Sequence, residues 1–190
     1  MDIKKISIVV GLVIVVIILA AVASMGVIIL DLMSYTATGS ETLSPAGSPV
    51  GHALVVYDPG VSGMAKNVAT KIAGDLQTKG YQVDLAGVRN AAAANTSGDD
   101  VIVIGGPTYA GNVSSSIKSY LLDLKPSTNA KIGVFATGSV KPESDDPVYL
   151  VKFVSSLPAD SPLKVKSAMK VLSADNVDNK CSEFVNGLLQ

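Results

Sequence analysis

The sequence predicts a doubly wound α/β domain with a five-stranded parallel sheet, preceded by one N-terminal transmembrane helix. Short apolar runs alternate with amphipathic helical stretches from Gly51 onward, and no hairpin signal separates them. The run Val101–Ile104 is apolar at every position, which is typical of a strand that helices cover on both faces. Residues 6–30 carry no charge at all. Together these observations place a membrane segment before one α/β domain.

The N-terminal apolar stretch, Ile6–Leu30, consists mainly of Ile, Val, Leu and Ala. It exceeds the roughly 20 apolar residues that a helix needs to cross a bilayer. Ala21-Val22-Ala23 fits the cleavage site of a signal peptide, which is the alternative interpretation. Apolar sequence resumes at Met25–Leu30, however, and this favours an uncut anchor. We therefore predict that residues 1–32 anchor the chain in membrane lipid.

The distribution of basic residues predicts the orientation of this anchor. Lys4 and Lys5 precede the apolar stretch, whereas no Lys or Arg follows it until Lys66. The positive-inside rule then places the N-terminus in the cytoplasm and the domain on the extracytoplasmic side. Residues 33–50 are rich in Ser, Thr, Gly and Pro, which predicts a flexible linker before a globular domain over residues 51–190.

Composition excludes several classes of function. Cys181 and His52 are the only cysteine and the only histidine, so neither an internal disulfide nor a Cys/His metal site is expected. The net charge is −1 and no basic patch is visible, which argues against nucleic-acid binding. No nucleophile–base pair is visible in the sequence, which argues against hydrolase activity.

The first half of the domain predicts two strands and the helix between them. Ala53–Tyr57 is a buried strand that ends in Asp-Pro-Gly. In the helix Met64–Lys79 apolar residues recur every fourth position, and Gly80 stands where a C-terminal glycine belongs. Tyr81–Leu85 forms the second strand. Residues 87–99 are rich in Ala and Asn and predict only a short helix within a crossover.

The third strand, Val101–Gly105, is the expected centre of the sheet. Gly105-Gly106-Pro107 is expected to end it abruptly and to open a loop at its carboxyl end. In open parallel sheets, ligands bind at that edge. A helix over Val113–Leu124 and a fourth strand over Lys131–Ala136 follow.

The last three elements are a helix, a strand and a helix. Asp146 and Pro147 predict an N-cap and the first position of a helix that ends near Leu157. A weaker fifth strand covers Val165–Leu172, and Asp175 or Asn176 caps the final helix. Because parallel crossovers are right-handed, strand order 2-1-3-4-5 is the usual solution for such a chain.

Several nucleotide-binding motifs are missing. The sequence contains neither the phosphate loop G-x-x-x-x-G-K-[ST] nor the dinucleotide pattern G-x-G-x-x-G. A response-regulator receiver would need an aspartate at the end of the third strand, where Gly105-Gly106-Pro107 stands instead.

Three loops at the predicted ligand-binding edge carry recognisable patterns: Tyr57–Met64 after the first strand, Gly105–Gly111 after the third and Phe135–Ser139 after the fourth. Through these loops the chain resembles the flavodoxin family, taken to include flavodoxin-like FMN-dependent quinone reductases. Residues 57–64, Tyr-Asp-Pro-Gly-Val-Ser-Gly-Met, look like the phosphate loop of that family. Residues 105–111, Gly-Gly-Pro-Thr-Tyr-Ala-Gly, look like its G-[GS]-P-x-Y loop. Residues 135–139, Phe-Ala-Thr-Gly-Ser, look like the loop that closes on the other side of the flavin. The resemblance covers about residues 51–190.

The resemblance implies FMN binding and electron transfer with a redox partner that the sequence does not identify. A membrane quinone pool and another anchored protein are both compatible with an anchored domain. Tyr109 is the residue expected to stack on the isoalloxazine ring. The implied cofactor-binding residues are Asp58, Gly60, Ser62, Gly63, Met64 and Ala65 in the first loop, Pro107, Thr108, Tyr109, Ala110 and Gly111 in the second, and Thr137, Gly138 and Ser139 in the third.

The first loop also departs from the family pattern, and this leaves an alternative open. Of the usual three Ser/Thr hydroxyls it keeps only Ser62, while Pro59 removes a backbone donor. Asp58 brings an acidic side chain close to the presumed phosphate. In the alternative, the chain keeps the flavodoxin fold, has lost the flavin, and serves as an extracytoplasmic binding or interaction module.

Overall fold

The computed structural model describes residues 3–34, 37–158 and 160–190. Helix α1 (Ile3–Ser34) contains an apolar span over Ile8–Ile29 with a mean hydropathy of 3.2. Among the described residues it is the one helix long and apolar enough to cross a membrane. Its large apolar side chains from Ile8 to Ile29 are exposed.

The rest of the described chain forms one seven-stranded sheet with helices on both faces. In chain order the elements are β1 (Ser40–Leu43), β2 (Gly51–Tyr57), α2 (Met64–Thr78), β3 (Tyr81–Gly87), a 3-10 turn (Ala91–Ala94), β4 (Val101–Tyr109), β5 (Asn112–Val113), α3 (Ser115–Asp123), β6 (Lys131–Thr137), α4 (Pro147–Ser155), β7 (Val165–Val171) and α5 (Val177–Leu189).

The sheet order is β1-β3-β2-β4-β6-β7, with β5 paired to β4. The five parallel strands therefore follow the predicted order 2-1-3-4-5, and the doubly wound fold is confirmed. The antiparallel strands β1 and β5 were not predicted.

Two hydrophobic layers explain the apolar run in the central strand. Val101 and Val103 belong to the core beneath α2 and α5, whereas Ile102 and Ile104 belong to the core beneath α3 and α4. Successive side chains of a strand point to opposite faces. A strand covered on both sides therefore needs apolar residues at every position, as the sequence predicted.

The predicted end of the central strand was wrong, because β4 continues from Val101 to Tyr109. Gly105, Gly106 and Pro107 all pair in parallel register with β6. A Cβ atom on Gly105 would overlap the Phe135 ring, and one on Gly106 would lie 2.8 Å from Ile117. The two glycines therefore permit close packing inside the strand and do not end it.

The predicted flexible linker is also partly ordered. Residues 40–43 form β1, which pairs antiparallel with the outer edge of β3. The amides of Gly87 and Arg89 donate to the carbonyls of Gly39 and Ala37, at 2.8 Å and 2.9 Å. This pairing satisfies the backbone groups of β3 that an uncovered sheet edge leaves open.

The predicted helix ends have the expected caps. Asp146 accepts the amide hydrogen of Tyr149 at 2.9 Å at the start of α4. Asn176 caps α5 by accepting from Asn179, while Asp175 accepts from Leu172 just before it. Gly80 has a φ of 93°, so the helix α2 ends at a left-handed glycine as predicted.

Candidate functional site

The candidate site lies where the strand order reverses. β2 stands between β3 and β4, and the chain passes from β2 to β3 on one side and from β4 to β6 on the other. In doubly wound sheets, ligands bind outside the carboxyl ends of the strands at this switch point, which is called the crevice below. Two of the predicted loops flank this crevice, and the loop after β6 adjoins them.

The first loop leads into α2 through a left-handed glycine. Gly63 has a φ of 71° and open space where a Cβ would lie. No side chain caps the helix, although Ser62 Oγ accepts the Met64 amide at 3.3 Å. Within the described part of the chain, the amides of Ala65 and Lys66 have no acceptor. Such unpaired amides at the positive end of a helix form a site for an anion.

The side chains of Met64 and Ala65 offer no polar group to a ligand in the crevice. Ala65 is fully buried, and Met64 packs against the same core beneath α2. Any contribution of these two residues to an anion site comes from their backbone amides. Since a backbone amide requires no polar side chain, the missing hydroxyls at these positions do not abolish the site.

Asp58 points away from α2 and holds the first loop to α3. It is 0% exposed, and one carboxyl oxygen accepts the Gly60 amide at 3.1 Å. Its other oxygen accepts the hydroxyl of Ser116, which lies 3.1 Å from the Ser114 hydroxyl. These contacts are structural, and contact between Asp58 and a cofactor stays a prediction.

Tyr109 links the first two loops directly. Its hydroxyl accepts the amide hydrogen of Val61 at 3.2 Å, so the side chain reaches from the end of β4 across the turn after β2. A Cβ atom on Gly60 would lie 3.2 Å from this hydroxyl and 2.8 Å from Pro107. Tyr109 is half-buried at the crevice, and its stacking on a flavin stays a prediction.

Ala110 and Gly111 form the tight turn between β4 and β5. Their φ angles are 48° and 83°, and the flanking residues Tyr109 and Asn112 pair with each other. Two left-handed residues between paired strands are typical of a type I′ hairpin turn. Alanine is strained in this conformation, and such strain is frequent at binding sites.

The third loop is joined to the second through Thr108. The Thr108 hydroxyl donates to the Thr137 carbonyl at 3.0 Å, and both side chains are buried. The Gly138 amide donates to the Val171 carbonyl at 3.2 Å, whereas Ser139 is exposed. The structure therefore brings all three predicted loops to one edge of the sheet.

Lys170 is a residue of this region that the sequence analysis missed. It is 3% exposed, its ammonium group donates to the Thr108 hydroxyl, and it lies 5.6 Å from the centre of the Phe153 ring. Burial lowers the pKa of Lys170 to about 8. The sequence indicated its burial through its position between the apolar residues Met169 and Val171, in a predicted strand between two predicted helices.

With this geometry established, comparison with known proteins identifies the family. The flavodoxin domain model matches residues 54–170, more than half of the chain. The chain belongs to the flavodoxin domain family. The match confirms the resemblance that the three loops suggested, and flavodoxin domains bind FMN. A search of curated proteins found no match.

Solved structures share the fold at low sequence identity. A Streptococcus pneumoniae TIGR4 flavodoxin is 19% identical with a TM-score of 0.52, and the alignment covers 73% of this chain and 97% of that one. A short-chain flavodoxin associated with a PDU bacterial microcompartment is 16% identical with a TM-score of 0.55, over 74% and 97%. A flavo di-iron protein from Thermotoga maritima is 18% identical with a TM-score of 0.53, over 75% of this chain and 36% of that one.

The residues at the crevice fit FMN. The unpaired amides of Ala65 and Lys66 suit a phosphate group, and Gly63 leaves room for its approach. Tyr109, half-buried where the first two loops meet, offers a flat flavin ring a neighbour of similar chemistry.

Proposed function

We propose that this chain is a membrane-anchored flavodoxin domain that binds FMN and transfers electrons. The observation that carries the proposal is the pair of unpaired amides, Ala65 and Lys66, at the start of a helix beside the switch point of the sheet. A phosphate group is among the anions that such a helix end binds.

The proposed roles of the residues follow from their positions. The amides of Ala65 and Lys66 bind the phosphate, and Gly63 admits it. Tyr109 lies against the flavin ring, while Gly138 and Ser139 line the crevice on its far side. FMN supplies the redox chemistry when bound, so the protein needs only to bind, orient and shield it.

The test compares FMN with riboflavin, which lacks the phosphate. Full-length protein in lipid nanodiscs is titrated with each flavin by calorimetry and by flavin fluorescence. We expect FMN to bind at least about tenfold more tightly, a difference of roughly 1.4 kcal/mol. Absence of flavin binding would refute the proposal. Equal affinities would show that the start of α2 does not bind phosphate.

Two glycine variants distinguish an effect on the ligand site from a general effect of backbone strain. Gly63 and Gly98 both have positive φ angles and open space at the Cβ position, but Gly98 precedes β4 at the opposite edge of the sheet. We expect Gly63→Ala to weaken FMN binding, because the new methyl group enters the proposed approach path. Gly98→Ala should leave FMN affinity unchanged, and equal losses in both variants would contradict the assignment.

A second candidate function is a flavodoxin fold without flavin that acts as an interaction module. The specific observation in its favour is that Tyr109 already accepts the Val61 amide, which removes one donor from the first loop. If neither flavin binds to the nanodisc protein and none copurifies with it from its own host, this candidate replaces the first.

The orientation of the anchor is part of the proposal. Lys4 and Lys5 precede the apolar span, so the N-terminus is placed in the cytoplasm and the domain outside. Protease added to intact cells should then remove the domain. Full protection, with digestion only after lysis, would show that the domain faces the cytoplasm. The redox partner is proposed to lie in or on the same membrane.

A further inference from the structure

The chain enters the folded domain at the same sheet edge as the candidate site. Ala37 is 6% exposed and accepts the Arg89 amide in the segment that follows β3. The neighbouring Val88 amide donates to the Tyr57 carbonyl at 2.9 Å, directly before the first loop of the site. The first described residue after the anchor is thus bonded beside the crevice.

The distance from the anchor to this edge is short. The apolar span ends at Ile29, the helix ends at Ser34, and the bonded segment begins at Ala37. Five helical residues rise about 7.5 Å and three further residues reach at most about 10 Å. Ala37 therefore lies within about 18 Å of the hydrocarbon core. The headgroup layer accounts for roughly 5–8 Å of that distance.

The exposed apolar side chains of the domain concentrate at this edge. Val61, Val140 and Val148 are 55%, 44% and 79% exposed, and they lie after β2, after β6 and at the start of α4. The two other large apolar residues exposed in the described part of the domain, Val50 and Leu122, lie at the opposite edge. Apolar side chains at loop tips are suited to the boundary between headgroups and acyl chains.

We propose that the carboxyl edge of the sheet lies on the membrane surface, with the lipid headgroup layer covering the tips at Val61, Val140 and Val148. The inference rests on the proposed function, because it requires the anchor to span the membrane. β1 and residues 37–39 fix this orientation by bonding the chain to β3 at the membrane end. The site crevice opens toward the bilayer, so its reactants reach it along the membrane.

A fluorescence experiment measures the orientation without any flavin. Full-length protein carrying Cys181→Ala receives a single labelled cysteine at Ser139, at the proposed membrane edge, or at Thr128, exposed at the opposite edge. The nanodisc lipids carry a nitroxide on their headgroups. We expect quenching of the label at 139 and little at 128. If Cys181→Ala does not fold, the wild-type background serves, because Cys181 is 0% exposed and native labelling spares it.

Two insertions then test whether the bonded segment causes the orientation. A flexible Gly/Ser segment of about 12 residues, with a mean span near 20 Å, is placed either between residues 35 and 36 or between residues 47 and 48. The first lengthens the path from the membrane to the bonded segment and should abolish the quenching at 139. The second follows β1, leaves that path unchanged, and should preserve the quenching.

The outcomes separate this inference from the function on which it rests. Protein that does not enter nanodiscs would refute the anchor and the inference together. Protein that enters nanodiscs but shows equal quenching at both positions would overturn this inference alone. Equal effects of the two insertions would show that the bonded segment does not hold the edge at the membrane.

Discussion

Replacement of Lys170 by methionine should stabilise the fold at neutral pH. The wild-type ammonium group is 3% exposed, and none of the ion pairs among the described residues includes it. Its partners are the Thr108 hydroxyl and the face of the Phe153 ring. Lys180 donates to the Lys170 carbonyl and so brings a second positive charge to this strand. A buried charge without a counterion costs free energy that an apolar side chain of similar length avoids.

The magnitude follows from the shift in pKa. Burial lowers the pKa of Lys170 from 10.5 to about 8, and a shift of this size corresponds to about 3 kcal/mol. The variant loses a hydrogen bond of about 1 kcal/mol and a ring contact of similar size. We therefore expect Lys170→Met to raise the free energy of unfolding by about 1–2 kcal/mol at pH 7.

The same shift fixes the pH dependence of the wild type. Below pH 8 the lysine is charged in both states, so its desolvation cost is fully present. Between about pH 8 and 10.5 the unfolded state binds more protons than the folded state, and wild-type stability rises with pH. The advantage of Lys170→Met should therefore shrink across this interval.

Urea unfolding of the full chain in detergent micelles, followed by far-UV circular dichroism from pH 7 to 10.5, measures both effects. Lys166→Met is the matched control, because Lys166 is an exposed lysine on the same strand. The control should match the wild type at every pH. A Lys170→Met protein less stable than the wild type at pH 7, or a constant difference between them up to pH 10.5, would refute the reasoning.

Two further predictions concern the loops of the site. Ala110→Gly should raise stability by up to about 1 kcal/mol, because Ala110 has a φ of 48°; Ala46→Gly, at an exposed position without positive φ, should give no gain in the same urea assay. A loss of stability in Ala110→Gly would contradict the assigned strain. Ser116→Ala should cost about 2 kcal/mol, because the buried carboxyl group of Asp58 loses one of its two donors. The exposed Ser119 in the same helix supplies the control Ser119→Ala, and equal effects of the two serine variants would show that Asp58 does not depend on Ser116.

The parallel sheet could be predicted because each central strand is recognisable from its own residues. Strands covered on both faces need apolar residues throughout, and the runs at 53–57 and 101–104 have them. The helices between them show a matching apolar period, as in α2. Since right-handed crossovers leave few arrangements, these local patterns were enough to predict the strand order.

The unpredicted strands depend on partners that are distant in sequence. β1 has one apolar residue, Leu43, and forms because the edge of β3 offers open backbone groups. The extension of β4 through Gly105 depends on the ring of Phe135 in the neighbouring strand. A glycine pair in sequence is equally compatible with a chain break and with close packing, and only the neighbouring strand decides between them.

The loops of the site were predicted, but the buried side chain that supports them was not. The loops after β2, β4 and β6 carry motifs, and parallel strands bring their ends to one edge. Lys170, which supports Thr108 from 62 residues away, belongs to no motif. Its burial depends on α4 covering β7, which local sequence does not determine.

The family match and the apolar N-terminal helix identify two parts of the chain that have different roles in the proposed function. The matched residues, 54–170, contain the crevice and its three loops, so flavin binding is proposed on features shared with other flavodoxin domains. The candidate membrane helix and the segment 37–43 lie outside that range, and the segment bonds to β3 next to the site. A freely diffusing flavodoxin can present its flavin edge to any partner, whereas the domain in the proposed orientation would present it only toward the membrane. If the bonded segment holds as proposed, the choice of redox partner is encoded outside the flavodoxin domain.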